Sequence, residues 1–162
     1  MSWLSFRLAV ILAMLLSAGP ALAAQKLAFF GYRMINSSMQ ETSAVETGRI
    51  ATLTREFEAR VGASGKYEIA PVPEAARAAL AKTAGMGECN GCEPRLGAMA
   101  GADLVAWGTV QKVSNLILNV NIYVADVKTG QFTFIKSADM RNNTDESWHR
   151  AQEYILKNYF LK

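Results

Sequence analysis

LILNVNIYVAD, residues 116–126, places an apolar side chain at every second position from Leu118 to Val124. The positions between are polar or amphipathic: Asn119, Asn121 and Tyr123. This period of two is typical of a β-strand with one face on a core and the other in water. The neighbouring stretches 103–113 (DLVAWGTVQKV) and 131–138 (QFTFIKSA) are predicted as further strands, with a tight turn at residues 127–130. These residues therefore predict three consecutive antiparallel strands.

The rest of the chain predicts a mixture of strands and helices. Strands are expected at residues 26–34 and 67–70, and apolar residues at helical spacing predict a long helix from Ser43 to Val61. Prolines open two shorter helices, at residues 74–82 and 94–100. We therefore expect an α/β (α+β) fold with a single domain and the element order β-α-β-α-α-β-β-β-α. Its mixed sheet is expected to carry the helices on one face.

Thr144 is predicted to cap a C-terminal helix with Asp145 and Glu146 in its first turn. The expected buried stripe of this helix is Trp148, Ala151, Ile155 and Tyr159. Four aromatic side chains on the strands are also expected in the core: Phe29, Phe30, Phe132 and Phe134.

The N-terminus is typical of a secretory signal peptide. Arg7 precedes the uncharged apolar run of residues 8–17, and small residues at 21–23 predict cleavage after Ala23. The run is too short for a permanent membrane span, although an uncleaved N-terminal anchor is the alternative. We therefore expect a signal peptide at residues 1–23 and one exported domain at residues 24–162. The location is expected to be periplasmic or secreted, with no transmembrane segment after cleavage.

The composition excludes several function classes. A net charge of +3 without a basic stripe argues against nucleic-acid binding. His149 is the only histidine and lies next to Arg150, so a catalytic triad or a three-histidine metal site is not expected. Zinc needs four ligands, and the two cysteines with His149 supply at most three. Haem attachment needs a histidine where Glu93 stands. No metal, cofactor or catalytic residue is predicted.

Cys89 and Cys92 are the only cysteines and are separated by Asn-Gly. In an oxidising compartment this spacing predicts a disulfide that fixes the start of the helix opened by Pro94. The alternative is redox activity, because a cysteine pair at a helix start can form a reactive thiolate. In that case Cys89 would attack and Cys92 would resolve the mixed disulfide.

Two polar regions are candidate binding surfaces. Asparagine is uncommon in strands, so Asn119 and Asn121, with Tyr123 and with residues 112–115, indicate either a solvated face or a face that docks a partner. The polar stretch 142–150 could form an anion site beside Trp148, or could simply cap a helix whose tryptophan is core. The predicted docking residues are Asn115, Asn119, Asn121, Tyr123 and Trp148.

Two sets of residues carry a family resemblance. GADLVAWGTV at 101–110, followed by residues 120–126 and Thr129-Gly130, resembles the second half of the TolB N-terminal-type domain. The curli secretion factor and outer-membrane lipoprotein activators share that layout. Residues 26–34, 89–92, 112–118 and 143–148 together resemble a family of secreted proteobacterial proteins of unknown function. The resemblance implies export and an α/β fold, but no reaction, and the cysteine pair is not expected in the TolB-type domain.

We therefore expect a non-catalytic binding or accessory module of the bacterial cell envelope. It would dock an envelope protein or a small ligand through the polar sheet face. A small periplasmic thiol–disulfide exchange protein using Cys89 and Cys92 is the alternative. An exposed edge of the terminal hairpins could also pair with another chain to give a homo-oligomer.

Overall fold

The computed structural model describes residues 24–162, so the predicted signal peptide lies outside the described residues. The elements follow the predicted order. The strands are β1 (Gln25–Asn36), β2 (Tyr67–Ala70), β3 (Leu104–Lys112), β4 (Leu118–Asp126) and β5 (Phe132–Met140). The helices are α1 (Ala44–Gly62), α2 (Glu74–Leu80), α3 (Glu93–Met99) and α4 (Asp145–Ile155), and a π-helical turn, Leu156–Phe160, continues α4. None of the helices described is long and apolar enough to cross a membrane.

The five strands form one mixed sheet in the order β2-β1-β3-β4-β5. β1 pairs in parallel with both β2 and β3, whereas β3, β4 and β5 form an antiparallel meander. The predicted fold class is therefore confirmed: a single-domain α+β protein with a mixed sheet. The alternation read from residues 116–126 is also confirmed, because the apolar positions of β4 are buried and its asparagines are half-exposed.

The main core lies between one face of the sheet and the two longer helices. Phe57 of α1 stacks on Phe29 of β1 with ring centroids 3.9 Å apart, and Trp148 of α4 is 1% exposed. Apolar residues of β3 and β4, including Val110 and Ile122, complete this core. Burial of this apolar surface is the main force that holds α1 and α4 against the sheet.

A smaller core lies on the opposite face, where the two short helices pack. Leu96 of α3 and Ala76 of α2 are fully buried there with Trp107 and Val105 of β3. The expectation that all helices pack on one face therefore holds only for α1 and α4. The alanine-rich α2 buries mainly small side chains, so its apolar stripe is weak in the sequence. Together, α2 and α3 cover only part of this second face.

A close contact between Tyr32 of β1 and Gly108 of β3 determines how these two strands pair. The pairing of β1 with β3 shifts register between Phe29 and Tyr32, where Gly31 adopts a positive φ of 80°. This bulge lays the ring of Tyr32 directly over Gly108 of β3, where any Cβ atom would overlap the ring. Glycine at 108 is therefore a packing requirement at the centre of the sheet.

Two aromatic residues that were expected in the core lie at the surface. Tyr159 is 41% exposed because the π-helical turn shifts the helical register and turns Phe160 into the core instead. Phe132 is 56% exposed because β5 is an edge strand and α2 and α3 do not reach over it.

Candidate functional site

The sheet face on which α2 and α3 pack is not covered by a helix where β4 pairs with β5. The open sheet face consists of Asn119, Asn121 and Tyr123 of β4 with Ile135 and Ser137 of β5. Tyr123 lies opposite Ile135 and Asn121 lies opposite Ser137 in the β4–β5 register, so the five side chains form one contiguous surface. Ile135 is 57% exposed.

The asparagines of this face are held in a fixed arrangement. The Asn121 amide nitrogen donates to Asn119 Oδ1 at 2.7 Å and to Thr109 Oγ1 of β3 at 3.1 Å. Among residues 24–162, the Asn121 side-chain carbonyl oxygen and the Asn119 side-chain amino group form no hydrogen bond to another side chain. The pair therefore presents one acceptor and one donor side by side, which matches the pattern of a peptide or amide group.

Aromatic side chains border the asparagines. Tyr123 stacks on Trp107 of β3 with ring centroids 5.4 Å apart, and Phe132 packs against both rings. Trp107 is 2% exposed and lies directly opposite Tyr123 on the neighbouring strand, so it holds the Tyr123 ring in place. Aromatic rings next to polar groups are typical of protein interfaces because they bury a large area and lose little side-chain entropy.

Asn115 belongs to a different cluster, at the edge of the sheet where β1 and β3 end. Lys112, the last residue of β3, donates to Glu46 of α1 at 2.6 Å, and the two side chains are 3% and 2% exposed. Asn143 donates to the same Glu46 oxygen at 2.7 Å and to Asn115 Oδ1 at 3.1 Å. A polar pocket of about 580 Å³ opens above this cluster. Crevices at the carboxyl ends of parallel strands are common ligand sites.

The local environment keeps Glu46 ionised. Burial raises the pKa of Glu46, but the hydrogen bonds from Lys112 and from the neighbouring Ser43 and Asn143 outweigh it and lower the pKa from 4.5 to about 2. Ser43 also caps α1, because its side chain accepts from the Glu46 backbone while Glu46 bonds back to the Ser43 backbone. The carboxylate therefore has a structural role, in the helix cap and in a buried ion pair.

Trp148 does not lie beside the asparagines. It packs in the main core on the other side of the sheet, and its indole N–H donates to Asn143 Oδ1 at 2.9 Å. The structure thus supports the alternative in which Thr144 caps α4 and Trp148 is core. A docked partner cannot contact a side chain that is 1% exposed. Of the five predicted docking residues, the structure brings only Asn119, Asn121 and Tyr123 together.

The buried ion pair is the feature that sequence reasoning missed. The polar stretch 112–115 predicts Lys112 at the rim of the sheet. Its position instead continues the buried alternation of Leu104, Ala106 and Val110. A charge on the core face of a strand needs a partner. The capping box of Ser43 and Glu46 was the signal for where that partner lies.

The two cysteines are joined as a disulfide with Cα atoms 5.4 Å apart. Cys92 immediately precedes α3 and is 6% exposed, whereas Cys89 is half-buried. Glu93 lies close to both sulfur atoms, but its carboxylate accepts from the Gly87 backbone at 2.9 Å. The pair holds the start of α3 against the smaller core, next to Trp107. His149, by contrast, is a surface residue whose Nδ1 lies 3.1 Å from Glu56.

Comparison with known proteins supports the fold and one family. The DUF3280 family model, described as "Protein of unknown function (DUF2380)", matches residues 25–160. No curated protein matches the chain.

Among solved structures, the LpoB C-terminal domain from Salmonella enterica superposes with a TM-score of 0.54 at 13% identity, covering 82% of this chain and 94% of that one. The LpoB C-terminal domain from Escherichia coli gives a TM-score of 0.51 at 14% identity, covering 80% and 92%. TolB from Acinetobacter baumannii gives a TM-score of 0.41 at 15% identity, covering 83% of this chain and 28% of that one. At these identities, the LpoB comparisons establish a shared fold.

Proposed function

The chain belongs to the DUF3280 family of unknown function, and from its surface we propose that it is an exported, non-catalytic binding module of the bacterial cell envelope. It docks a partner protein through the open sheet face. Export is supported by the signal-peptide pattern of residues 1–23. The binding role rests on one observation: α2 and α3 leave half of the second sheet face uncovered.

A protein partner fits this surface better than a small molecule. Small ligands prefer concave pockets that enclose most of their surface, whereas the open sheet face is the broad surface of two paired strands. It combines the fixed asparagine pair with the exposed Ile135 and the anchored Tyr123. Rigid aromatic and apolar groups next to hydrogen-bonding side chains supply both affinity and register in protein interfaces.

The proposal is tested by removing the polar and aromatic groups of the face together. In the variant Asn119→Ala/Asn121→Ala/Tyr123→Ala, we expect affinity for the partner to fall at least about tenfold, because truncation at the centre of an interface commonly costs more than 1 kcal/mol. The partner is first identified by a photoreactive amino acid at position 135 of the full chain, expressed in the envelope, and affinity is then measured with that partner purified.

The matched control is Thr52→Ala/Arg55→Ala on the exposed surface of α1, which covers the opposite face of the sheet. We expect this control to bind as the unmodified chain does. Equal affinity of the triple variant and the control, with both folded by circular dichroism, would reject the open sheet face as the docking site. A small-molecule adduct in place of a protein adduct would reject the protein partner.

Thiol–disulfide exchange by Cys89 and Cys92 stays the alternative prediction. The burial of Cys92 is compatible with both roles, because Cys92 is the resolving cysteine in the exchange scheme and the half-buried Cys89 is the attacking one. The reduction potential of the pair separates the two roles.

A further inference from the structure

β5 forms one outer edge of the sheet. It runs for nine residues, Phe132–Met140, and pairs only with β4 in the part of the chain that the structure describes. A long edge strand of this kind offers unpaired backbone groups to any other strand that can lie beside it.

The hydrogen bonds of the hairpin show which residues carry these groups. Asp126 of β4 donates its backbone N–H to Gln131, toward β5, whereas the next residue, Val127, donates to Asp103, toward β3. Because antiparallel ladders alternate in this way, the β4 residues that bond to β5 are the even-numbered ones. The β5 residues opposite odd-numbered β4 positions are Ile135, Ser137 and Asp139, and these direct their N–H and C=O groups to the free edge.

A groove follows this edge on the side of α4. It has a volume of about 600 Å³ and lies between Ser137–Asp139 of β5 and the α4 residues Ser147, Arg150, Ala151 and Tyr154. Ala138 of β5 and Ala151 of α4 both line it, and their small side chains leave room for side chains from an added strand. The groove therefore joins an open backbone edge to a helix wall, and such an arrangement binds extended peptides by strand addition.

The charges along the groove favour an acidic occupant. Arg141 and Arg150 line the groove, and Lys136 lies beside it on β5, with its Nζ 3.9 Å from the centre of the Tyr159 ring. Glu146 forms an ion pair with Arg150 at 3.1 Å, and Asp139 is the remaining acid. Lys136 and Arg141 form no ion pair within residues 24–162, so these two cations are available to an acidic segment.

We propose that the β5 edge and the α4 groove bind an extended acidic peptide segment of a partner protein, which adds to the sheet as a sixth strand antiparallel or parallel to β5. The segment places an apolar side chain between Ala138 and Ala151, and carboxylates two residues before and after it, toward Lys136 and Arg141. This inference rests on the proposed function and deepens it by giving the partner a second contact, which adjoins the open sheet face at Ile135 and Ser137.

A second copy of the chain fits the edge less well. In a two-fold symmetric dimer of β5 edges the two strands run antiparallel, so Lys136 at one end of the edge lies toward Arg141 at the other end of the second copy. Like charges held side by side across strands are destabilising. An acidic segment avoids this repulsion.

The test uses two nine-residue peptides and a backbone-resolved readout. One peptide carries two glutamates four residues apart with a valine midway between them, and the other carries lysines in place of the glutamates. Amide hydrogen exchange of the chain is followed by NMR with each peptide. We expect the glutamate peptide to bind at least about fivefold more tightly and to slow exchange at Ile135, Ser137 and Asp139. Exchange at Lys136 and Ala138, which already bond to β4, should change little.

Ser137→Pro removes one outward N–H without removing a bond to β4, and proline is tolerated at such positions on edge strands. We expect it to weaken the glutamate peptide at least about tenfold, whereas the matched Ser137→Ala variant binds within about twofold of the unmodified chain. The variant Asn119→Ala/Asn121→Ala/Tyr123→Ala should also bind the peptide normally, so failure of the open sheet face and failure of the edge are distinguishable.

Three results would overturn the inference. The first is no binding of the glutamate peptide by the folded chain. The second is binding that protects other amides or that Ser137→Pro leaves unchanged while circular dichroism shows both variants folded. The third is protection of Ile135, Ser137 and Asp139 that rises with protein concentration without peptide, because that result assigns the edge to a second copy of the chain.

Discussion

Glu46 and Lys112 form an ion pair out of reach of bulk water, and three loops converge on it. Asn143 bonds to Glu46, to Asn115 and to Trp148, so the pair joins the ends of β3 and β5 to the start of α1 and to α4. Such pairs gain little net stability because desolvation offsets the attraction, but loss of one partner leaves a buried charge. The pair therefore fixes the geometry of the sheet edge more than it raises overall stability.

This ion pair gives a prediction about variants and pH. Lys112→Met should lower the free energy of unfolding by about 3–5 kcal/mol, whereas Glu46→Leu/Lys112→Met should recover much of that loss. The pKa of Glu46 is lower in the folded chain than in the unfolded chain, so its contribution is complete above pH 4.5 and is lost as pH falls toward about 2. Urea unfolding at several pH values measures both effects.

Glu46→Gln is the control for the pH dependence, because it keeps the shape of the side chain and cannot titrate. It should flatten the loss of stability between pH 4.5 and 2. If the unmodified chain and Glu46→Gln showed the same slope in this range, the acid sensitivity would have another origin.

At the scale of elements, the sequence predicts those features that depend on neighbouring residues, such as the starts of helices. Ser43 and Thr144 were predicted to start α1 and α4 and do so, because a capping side chain acts within one turn. The π-helical turn after Ile155 was not predictable, since period 3.6 continues smoothly through Tyr159 in the sequence. The second core was missed because α2 buries mainly alanines, which give almost no amphipathic signal.

The residues of the candidate site also differ in whether the sequence alone can place them. Asn119, Asn121 and Tyr123 were predictable as one surface because alternation along a single strand is local. Asn115 and Trp148 were not separable from them, since Asn115 bonds to Asn143, 28 residues away, and Trp148 packs in the main core with side chains of α1.

The Cys89–Cys92 disulfide belongs to this scale, because it closes a very short loop ahead of α3. The chain-entropy argument gives it a contribution of roughly 2 kcal/mol or less. We expect a reduction potential below about −300 mV, typical of structural disulfides. Titration against a thiol buffer of known potential measures it, with Cys89→Ser/Cys92→Ser as the control for signals unrelated to the pair. A potential near that of known exchangers would instead support the thiol–disulfide alternative.

At the scale of the whole molecule, one sheet separates two unequal cores. The main core holds α1 and α4 firmly, and the smaller one leaves the open sheet face and the β5 edge accessible. A scaffold of this kind is rigid on one side and available for contacts on the other.

Export is the prediction that concerns the whole chain. Produced from the full sequence in a Gram-negative host, the protein is expected in the periplasmic fraction with Ala24 as its first residue, because signal peptidase requires small residues before the cleaved bond. Intact-mass spectrometry measures the N-terminus. Ala23→Tyr should block cleavage, and the matched Ala24→Ser should not. A mature protein that retains residues 1–23 would support the uncleaved anchor.

The position of β1 between β2 and β3 has a consequence for the order in which the chain folds. β1 is made first and pairs with the short β2, but its longer partner β3 follows only 77 residues later, as the pairing of Leu27 with Leu104 shows. At about 5–20 residues per second, this interval is about 4–15 s. Contacts so distant in sequence close slowly, whereas the β3–β4–β5 meander needs only local turns. We therefore expect the meander to form the folding nucleus. The aromatic strand β1 is expected to depend on chaperones until the meander has formed.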